Sequence, residues 1–462
     1  MTFNQNLNLL SPYTFLNDDF YDLSYPAEFP LTKIRFRNSF FQEFEGLDDQ
    51  GWISLFAKFN SDHLPQKRNT ALKYHGHQFQ VYNPDIGDGR GFTVAQFYKN
   101  NQLLDLGTKG SGITKYSRNG DGKLTLKGGV REVLCACYLD ALGVNTSKAL
   151  SLIETGEQLY RSDEKSPTRS SVLVRVSHSH LRIGTFQYHA YHGNLENLKL
   201  LIHSINKYYF HFKNEINKEE NFFKQVVANS ATLAASYNIN GFVHGVLNTD
   251  NINITGESFD YGPIRFLEKY DENKLASYFD HSGLYRFSNQ VNAIFWNLQQ
   301  LASIMTLFLK TEDIKEILKT YPDIYNEQLM KMFFKKIMLK PSSDEKLNHN
   351  LISNVYEILR NEPFLYEEVY NDLRGGLKKL DLHPDLKKKY SQFDLLNIFK
   401  NHSPSHNFDK EAANDSYIET LLYDEIEKIW SEIELNDNWT LFNNKIDSIN
   451  ILKKKNQKYG LG

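Results

Sequence analysis

The stretch Gly241-Phe242-Val243-His244-Gly245-Val246-Leu247-Asn248-Thr249-Asp250-Asn251, with Asp260-Tyr261-Gly262 a short interval beyond it, decides how this chain is read. Phe242 and Val243 are β-formers, and the residues after them are too rich in Gly, Asn and Asp to continue as a helix or strand. Asn251 and Asp260 each offer a hard oxygen ligand. Magnesium is characteristically held by one or two such side chains together with waters and substrate phosphates. The same residues also fit a pair of polar turns, and their surroundings separate the two.

In protein kinases an Asn of the catalytic loop and the Asp of a following Asp-Phe-Gly hold the metal. Asn251 and Asp260 reproduce that pair, with Tyr261 in place of Phe. The aspartate that kinases carry five residues before the Asn is missing, because Val246 stands there in a His-Gly-Val context. Metal binding is therefore better supported than ordinary transfer of a γ-phosphate to a hydroxyl.

Three blocks upstream carry groups for an anion. Tyr74-His75-Gly76-His77-Gln78 and Pro84-Asp85-Ile86-Gly87-Asp88-Gly89-Arg90 combine glycines, whose backbone N–H groups can approach a phosphate, with an arginine. A surface turn fits them equally well. Lys109-Gly110-Ser111-Gly112 opens a glycine-rich run that reaches Asp121-Gly122, and Glu132 follows on the next helix. A phosphate-binding lysine needs such a carboxylate to hold its rotamer, although the pair alone is better read as a solvated surface salt bridge. No Gly-Lys-Ser/Thr closes the loop as a Walker A motif would require. Val174-Arg175-Val176 through Arg182 puts one arginine inside an apolar strand, which calls for a buried anion or a structural ion pair.

The order of elements predicts an α+β, protein-kinase-like two-lobed fold, with a β-rich N-lobe, a mainly α-helical C-lobe and terminal extensions. The boundaries are an extension over 1–70, a nucleotide-binding lobe over 71–190, a catalytic lobe over 191–390 and a helical region over 391–462. Within them, Thr93 to Phe97 and Leu103 to Leu106 read as strands joined through Asn100-Asn101. A helix carrying Val130, Leu134, Leu139 and Leu142 should end near Gly143, and Ser171 to Val176 reads as a buried strand. Val291, Ile294, Phe295, Leu298, Leu301, Met305 and Phe308 fall at helical spacing.

Composition excludes several classes. Aromatic residues make up 14% of the 462 residues, enough apolar surface to set disorder aside. A formal net charge of −3 provides no basic excess for a phosphate backbone, so nucleic acid is not an expected partner. No run of about 18 apolar residues is present to span a bilayer. The N-terminus lacks the basic and apolar regions of a signal peptide, which points to a cytoplasmic protein. Cys135 and Cys137, two apart on a helix, face different ways and do not suit a mutual disulfide.

Taken together, in this order and spacing, the four blocks resemble the selenoprotein O family, pseudokinases that AMPylate proteins. The resemblance runs from about residue 30 to 300. It implies ATP bound in a flipped orientation, with AMP passed to Ser, Thr or Tyr hydroxyls of protein substrates, pyrophosphate released, and a bacterial cytoplasmic setting. It further implies Lys109 as phosphate-binding lysine with Glu132 as its helix partner, and Arg175 and Arg182 on the inward-pointing phosphates. Gly87, Gly89, Arg90, Asp121 and Gly122 are implied as further nucleotide contacts. Asp250 is implied as proton acceptor, and Asn251 and Asp260 as ligands of Mg2+, or of Mn2+ in its place. Gln80, Lys115 and Lys123 depart from the family's usual Gly, Pro and Arg. The stretch Asn456 to Gly462 lacks the family's Cys or selenocysteine motif, so redox control through it is not expected. A conventional kinase and a catalytically silent nucleotide-binding scaffold remain the competing readings; Val246 weighs against the first, and the intact Lys109, Asn251 and Asp260 against the second.

Overall fold

The computed structural model describes residues 8–59, 69–162, 164–213 and 216–461. The strands are β1 (Tyr21–Leu23), β2 (Lys33–Arg37), β3 (Thr70–Leu72), β4 (Gly76–Gln78), β5 (Val81–Asn83), β6 (Thr93–Lys99), β7 (Gln102–Lys109), β8 (Leu124–Thr125), β9 (Lys148–Leu159), β10 (Thr168–Ser177), β11 (Phe242–His244) and β12 (Ile264–Phe266). The main sheet runs β1-β3-β6-β7-β10-β9-β2 in space, with β8 added on β10, and its pairs are antiparallel. β4–β5 and β11–β12 form two small antiparallel pairs of their own. Asn100 and Asn101 take φ of 50° and 63°, the left-handed pair that a two-residue hairpin turn demands, and so join β6 to β7 as the sequence predicts. The predicted Ser171–Val176 strand is the centre of β10.

The helices that matter for the site are α1 (Asp49–Phe56), α2 (Leu126–Ala141), α3 (Ile183–Tyr191), α4 (Leu195–Tyr208), α5 (Lys218–Ile239), α6 (Gln290–Met305), α7 (Thr311–Lys336) and α8 (Glu345–Asn361). Thr125 caps α2 by accepting the Gly128 N–H at 3.1 Å, and Gly143, at φ 77°, lies just past its end. Gly129 lets α2 lie close on the sheet, since a Cβ there would meet Leu152 Cδ1 at 2.5 Å and Ser171 Oγ at 2.6 Å. Leu126, Val130, Val133 and Leu134 are buried there. Cys135 is buried and Cys137 half-buried, and both are free.

With the sheet in the first part of the chain and helices dominating the rest, the architecture is α+β. One hydrophobic cluster nevertheless runs from Leu72 and Val130 through Phe222, Phe223, Ile294 and Leu298. A second gathers Phe333, Leu351, Val355, Tyr366 and Leu395 around α7 and α8. The C-terminal helix Thr440–Lys458 returns to α2: Asn456 Nδ2 donates to the Ala141 carbonyl at 2.8 Å and Lys453 pairs with Asp140 at 2.6 Å. Among the described residues no helix is long and apolar enough to cross a membrane.

Candidate active site

Lys109 closes β7, where pairing with β10 sets it opposite Leu173 and turns it toward α2. Its Nζ donates both to Glu132 Oε1 and to Asp260 Oδ1. Lys109 and Glu132 are 5% and 3% exposed, so the pair is a buried link and not the solvated surface bridge that the two residues alone suggest. Asp260 sits at φ 67°, a left-handed conformation that Asp tolerates better than most residues. Burial alone would raise its carboxyl pKa; Lys109, with Arg175 and Arg90 behind it, instead holds it far below the usual carboxylate range. It is thus a fixed negative charge at the edge of the Lys109 cluster.

Arg175 lies inside β10, opposite Gly107 of β7 and Ala149 of β9. It is 7% exposed, and its Nε and Nη1 have no hydrogen-bond partner among the described residues. Its ion pair with Asp260 Oδ1 is a long one, 3.8 Å. Arg182 is better served: Nη1 donates to the Asp250 carbonyl at 3.1 Å and Nη2 to Asp88 Oδ1 at 3.4 Å. Its guanidinium also lies over the rings of Tyr74 and Phe259, at 4.3 and 5.0 Å. Burial works against its charge, but Tyr74, Asp88, Asp260 and Asp250 outweigh that and keep its pKa above the ordinary arginine value. A buried guanidinium with two unmet donors is costly in a folded protein, and an incoming phosphate would satisfy it.

The polar loop between β11 and β12 is tied at both ends by His244. Its Nδ1 accepts the Val246 N–H at 3.3 Å, so Nε2 carries the proton and donates to the Phe259 carbonyl at 3.0 Å. Burial keeps this imidazole neutral by lowering its pKa. Thr249–Asn251 makes a single 3-10 turn. Asn251 Nδ2 donates to the Val246 carbonyl at 3.0 Å, which leaves its side-chain oxygen as the group suited to a cation. Asp250 is 8% exposed and its Oδ1 has no hydrogen-bond partner among the described residues. Burial pushes its carboxyl up to about 6, with Arg182 opposing. Among the described residues no group of three or more His, Cys, Asp or Glu could hold a metal ion. One carboxylate and one amide oxygen fit magnesium that takes its remaining ligands from phosphates and water.

The other expected contacts lie around this centre. Arg90 is exposed, yet near enough to lower the Asp260 pKa. Gly87 and Gly89 lie close against Tyr116: a Cβ at Gly87 would meet its ring at 2.5 Å, and one at Gly89 its carbonyl at 2.7 Å. Gly122, at φ 67°, accepts the Gly112 N–H at 3.2 Å. Asp121 turns to Arg161, which it holds bidentately at 2.8 and 2.9 Å. The three departures are peripheral: Gln80 is in a turn, Lys115 pairs with Asp22 and Lys123 with Glu157. Asp88, Tyr74 and Phe259 join the site without having been assigned a role from sequence. Asp88 stands inside the Gly87-Asp88-Gly89-Arg90 block, whose spacing could have flagged it.

Chains of this kind are known as protein nucleotidyltransferases. The protein nucleotidyltransferase YdiU of Synechocystis sp. is 38% identical over 467 residues, covering 94% of this chain and 96% of that protein. That of Trichodesmium erythraeum is 37% identical over 462 residues, with the same two coverages of 94% and 96%. That of Vibrio cholerae is 34% identical over 386 residues, 81% of this chain and 78% of its own length. The family described as protein adenylyltransferase SelO matches residues 4–450, and the chain belongs to it.

Proposed function

We propose that this chain transfers AMP from ATP to Ser, Thr or Tyr hydroxyls of other proteins and releases pyrophosphate. The work is done between a β-rich nucleotide-binding lobe, 71–190, and a mainly helical lobe, 191–390, in a kinase-like arrangement flanked by 1–70 and 391–462. The observation that carries this reading is the Arg175 guanidinium, buried with two unmet donors beside the Lys109–Asp260 pair. Phosphates drawn in to Arg175, Arg182 and Lys109 are the β and γ groups, which leaves the α-phosphate nearest the acceptor. Arg90, Asp121 and the Gly87, Gly89 and Gly122 turns would line the rest of the nucleotide's path.

Asn251 and Asp260 would hold Mg2+, or Mn2+, which when bound neutralises phosphate charge and polarises the phosphoryl oxygens. Glu132 keeps Lys109 in place for its phosphate. Asp250 accepts the hydroxyl proton while the acceptor oxygen bonds to the α-phosphorus and the bond to pyrophosphate breaks. A carboxyl pushed up to about 6 is a stronger base than an ordinary aspartate and still ionised at neutral pH. Val246 offers no base, which disfavours the conventional kinase reading. Mass spectrometry of a protein substrate after incubation with Mg-ATP tests the proposal: an adenylyl group on a hydroxyl side chain, with matching pyrophosphate, is expected, and a phosphoryl adduct would refute it.

A further inference from the structure

Apart from Tyr74, whose ring lies under the Arg182 guanidinium, the Tyr74-His75-Gly76-His77-Gln78 block was given no role above, yet it is bound to the loop that carries Asp250. β4 places the His77 backbone N–H on Thr249 Oγ1 at 2.7 Å. Thr249 Oγ1 donates its own proton to Gln187 Oε1, on α3, at 2.7 Å. Gln187 Nε2 stands 2.7 Å from His77 Nδ1 and closes a ring of three bonds. The directions are forced. Because the threonine proton goes to Gln187 Oε1, the glutamine offers its amide to His77 Nδ1, and that ring is neutral with its proton on Nε2. Burial lowers the His77 pKa and favours this neutral form. The His77 ring is itself wedged edge-on against Tyr82 and Trp296, at 5.0 and 5.2 Å.

A second tie lies at the tip of the same hairpin. The Phe79 N–H donates to Asn248 Oδ1 at 3.0 Å, and that oxygen also receives the Tyr285 hydroxyl at 2.7 Å. The hairpin is therefore fastened to the two residues immediately before Asp250. Its first residue, Gly76, lies directly against the carboxylate: a Cβ there would be 2.6 Å from Asp250 Oδ1. Asp250 itself belongs to a 3-10 turn of only three residues, which has little rigidity of its own.

We propose that the His77–Thr249–Gln187 ring is a positioning device that sets the Asp250 carboxylate for proton transfer. This rests on the reading of Asp250 as proton acceptor. The three residues act through Asp250. Thr249→Val keeps the shape of the side chain and removes both hydroxyl bonds. A displacement of the carboxylate by about 1 Å corresponds to a loss of up to about 10²-fold.

The test is steady-state kinetics of AMP transfer to a protein substrate, with thermal unfolding of each variant as the check on folding. Thr249→Val should lower kcat by about 10- to 100-fold while KM for ATP stays within about twofold, and Thr249→Ser should restore most of the rate. In an Asp250→Ala background, Thr249→Val should cause no further loss, because the group it positions is gone. If Thr249→Val does not fold, Gln187→Met breaks two of the three bonds from α3 and should show the same pattern. An unchanged kcat in the folded variant, a loss confined to KM, or an equal loss on top of Asp250→Ala would overturn the ring's role. Near-normal turnover of Asp250→Ala alone would overturn the proton-acceptor reading, and the ring proposal with it.

Discussion

Replacing Arg175 by Met should separate stability from binding, because the two depend on that guanidinium with opposite signs. Arg175 is buried in β10, with Nε and Nη1 unpaired among the described residues and its ion pair to Asp260 stretched to 3.8 Å. A buried donor left unmet costs about 1–3 kcal/mol, and methionine keeps the length and apolar stem without that penalty. Losing the attraction to Asp260 works the other way, but Asp260 keeps Lys109 as its partner. The nucleotide-free variant should therefore be as stable as the wild type or up to about 2 kcal/mol more so. ATP affinity should move the opposite way. A charge-assisted hydrogen bond contributes about 1.5–3 kcal/mol, so removal of the guanidinium should weaken Mg-ATP by at least about tenfold. Thermal unfolding without nucleotide and calorimetric titration with Mg-ATP read the two quantities separately. A melting temperature several degrees lower, with unchanged ATP affinity, would contradict both expectations and make Arg175 a structural ion-pair residue.

Asp260→Asn, which retains tolerance of the left-handed φ of 67°, should leave the fold intact and abolish the magnesium dependence of ATP binding; equal ATP affinity with magnesium and with a chelator is the expected calorimetric result, and a preserved dependence would remove Asp260 from the metal site. Glu257 is a buried carboxyl whose two oxygens both receive the His178 N–H, at 3.0 and 3.1 Å, and burial pushes it up to about 8. Because its folded pKa lies above the unfolded value, its contribution to stability is full below about 4.5 and is lost as pH rises through about 8. Glu257→Gln should then gain stability relative to wild type at pH above 8 and little at acid pH, as read by thermal unfolding; a pH-independent difference would contradict this. Phe79 and Gln80 form the two-residue tip between β4 and β5 at φ 50° and 65°, so Gln80→Gly should stabilise by about 1 kcal/mol in denaturant unfolding, whereas a loss would show that Gln80 makes contacts that compensate its strain.

What could be read from the sequence was what local chemistry dictates. Asn100-Asn101 between two apolar runs specifies a tight turn, and the helix ending just before Gly143 and the valine-dense strand around Arg175 follow from propensity and periodicity. The proposed metal ligands could be singled out because Asn251 and Asp260 lie close in sequence, in and just after one polar loop. Long-range facts were not. Nothing in the spacing of Lys109 and Glu132 says whether they meet in solvent or in a core; that depends on Gly129 letting α2 down onto the sheet. That Gly87 and Gly89 also lie against Tyr116 is not visible in the sequence either. β1 and β2 are three and five residues long, too short for a periodic signal, yet they form the two edges of the main sheet. The C-terminal region read from sequence only as helical and charged, and its return to α2 rests on Phe442, Ile449 and Leu452 joining the buried cluster of Val130, Val133 and Leu134, with Asn456 bonded to Ala141.

Which phosphate of ATP reaches the protein decides between AMP transfer and ordinary phosphorylation. In parallel reactions with Mg-ATP labelled at the α- or at the γ-phosphate, α-label should become stably attached to the enzyme or to an added protein. γ-label should leave in pyrophosphate, and Asp250→Ala should suppress α-labelling by about 10²–10⁴-fold. Stable protein labelling from the γ-position instead would mean that the nucleotide lies in the conventional kinase orientation, and the assignment of Arg175, Arg182 and Asp250 would fall with it.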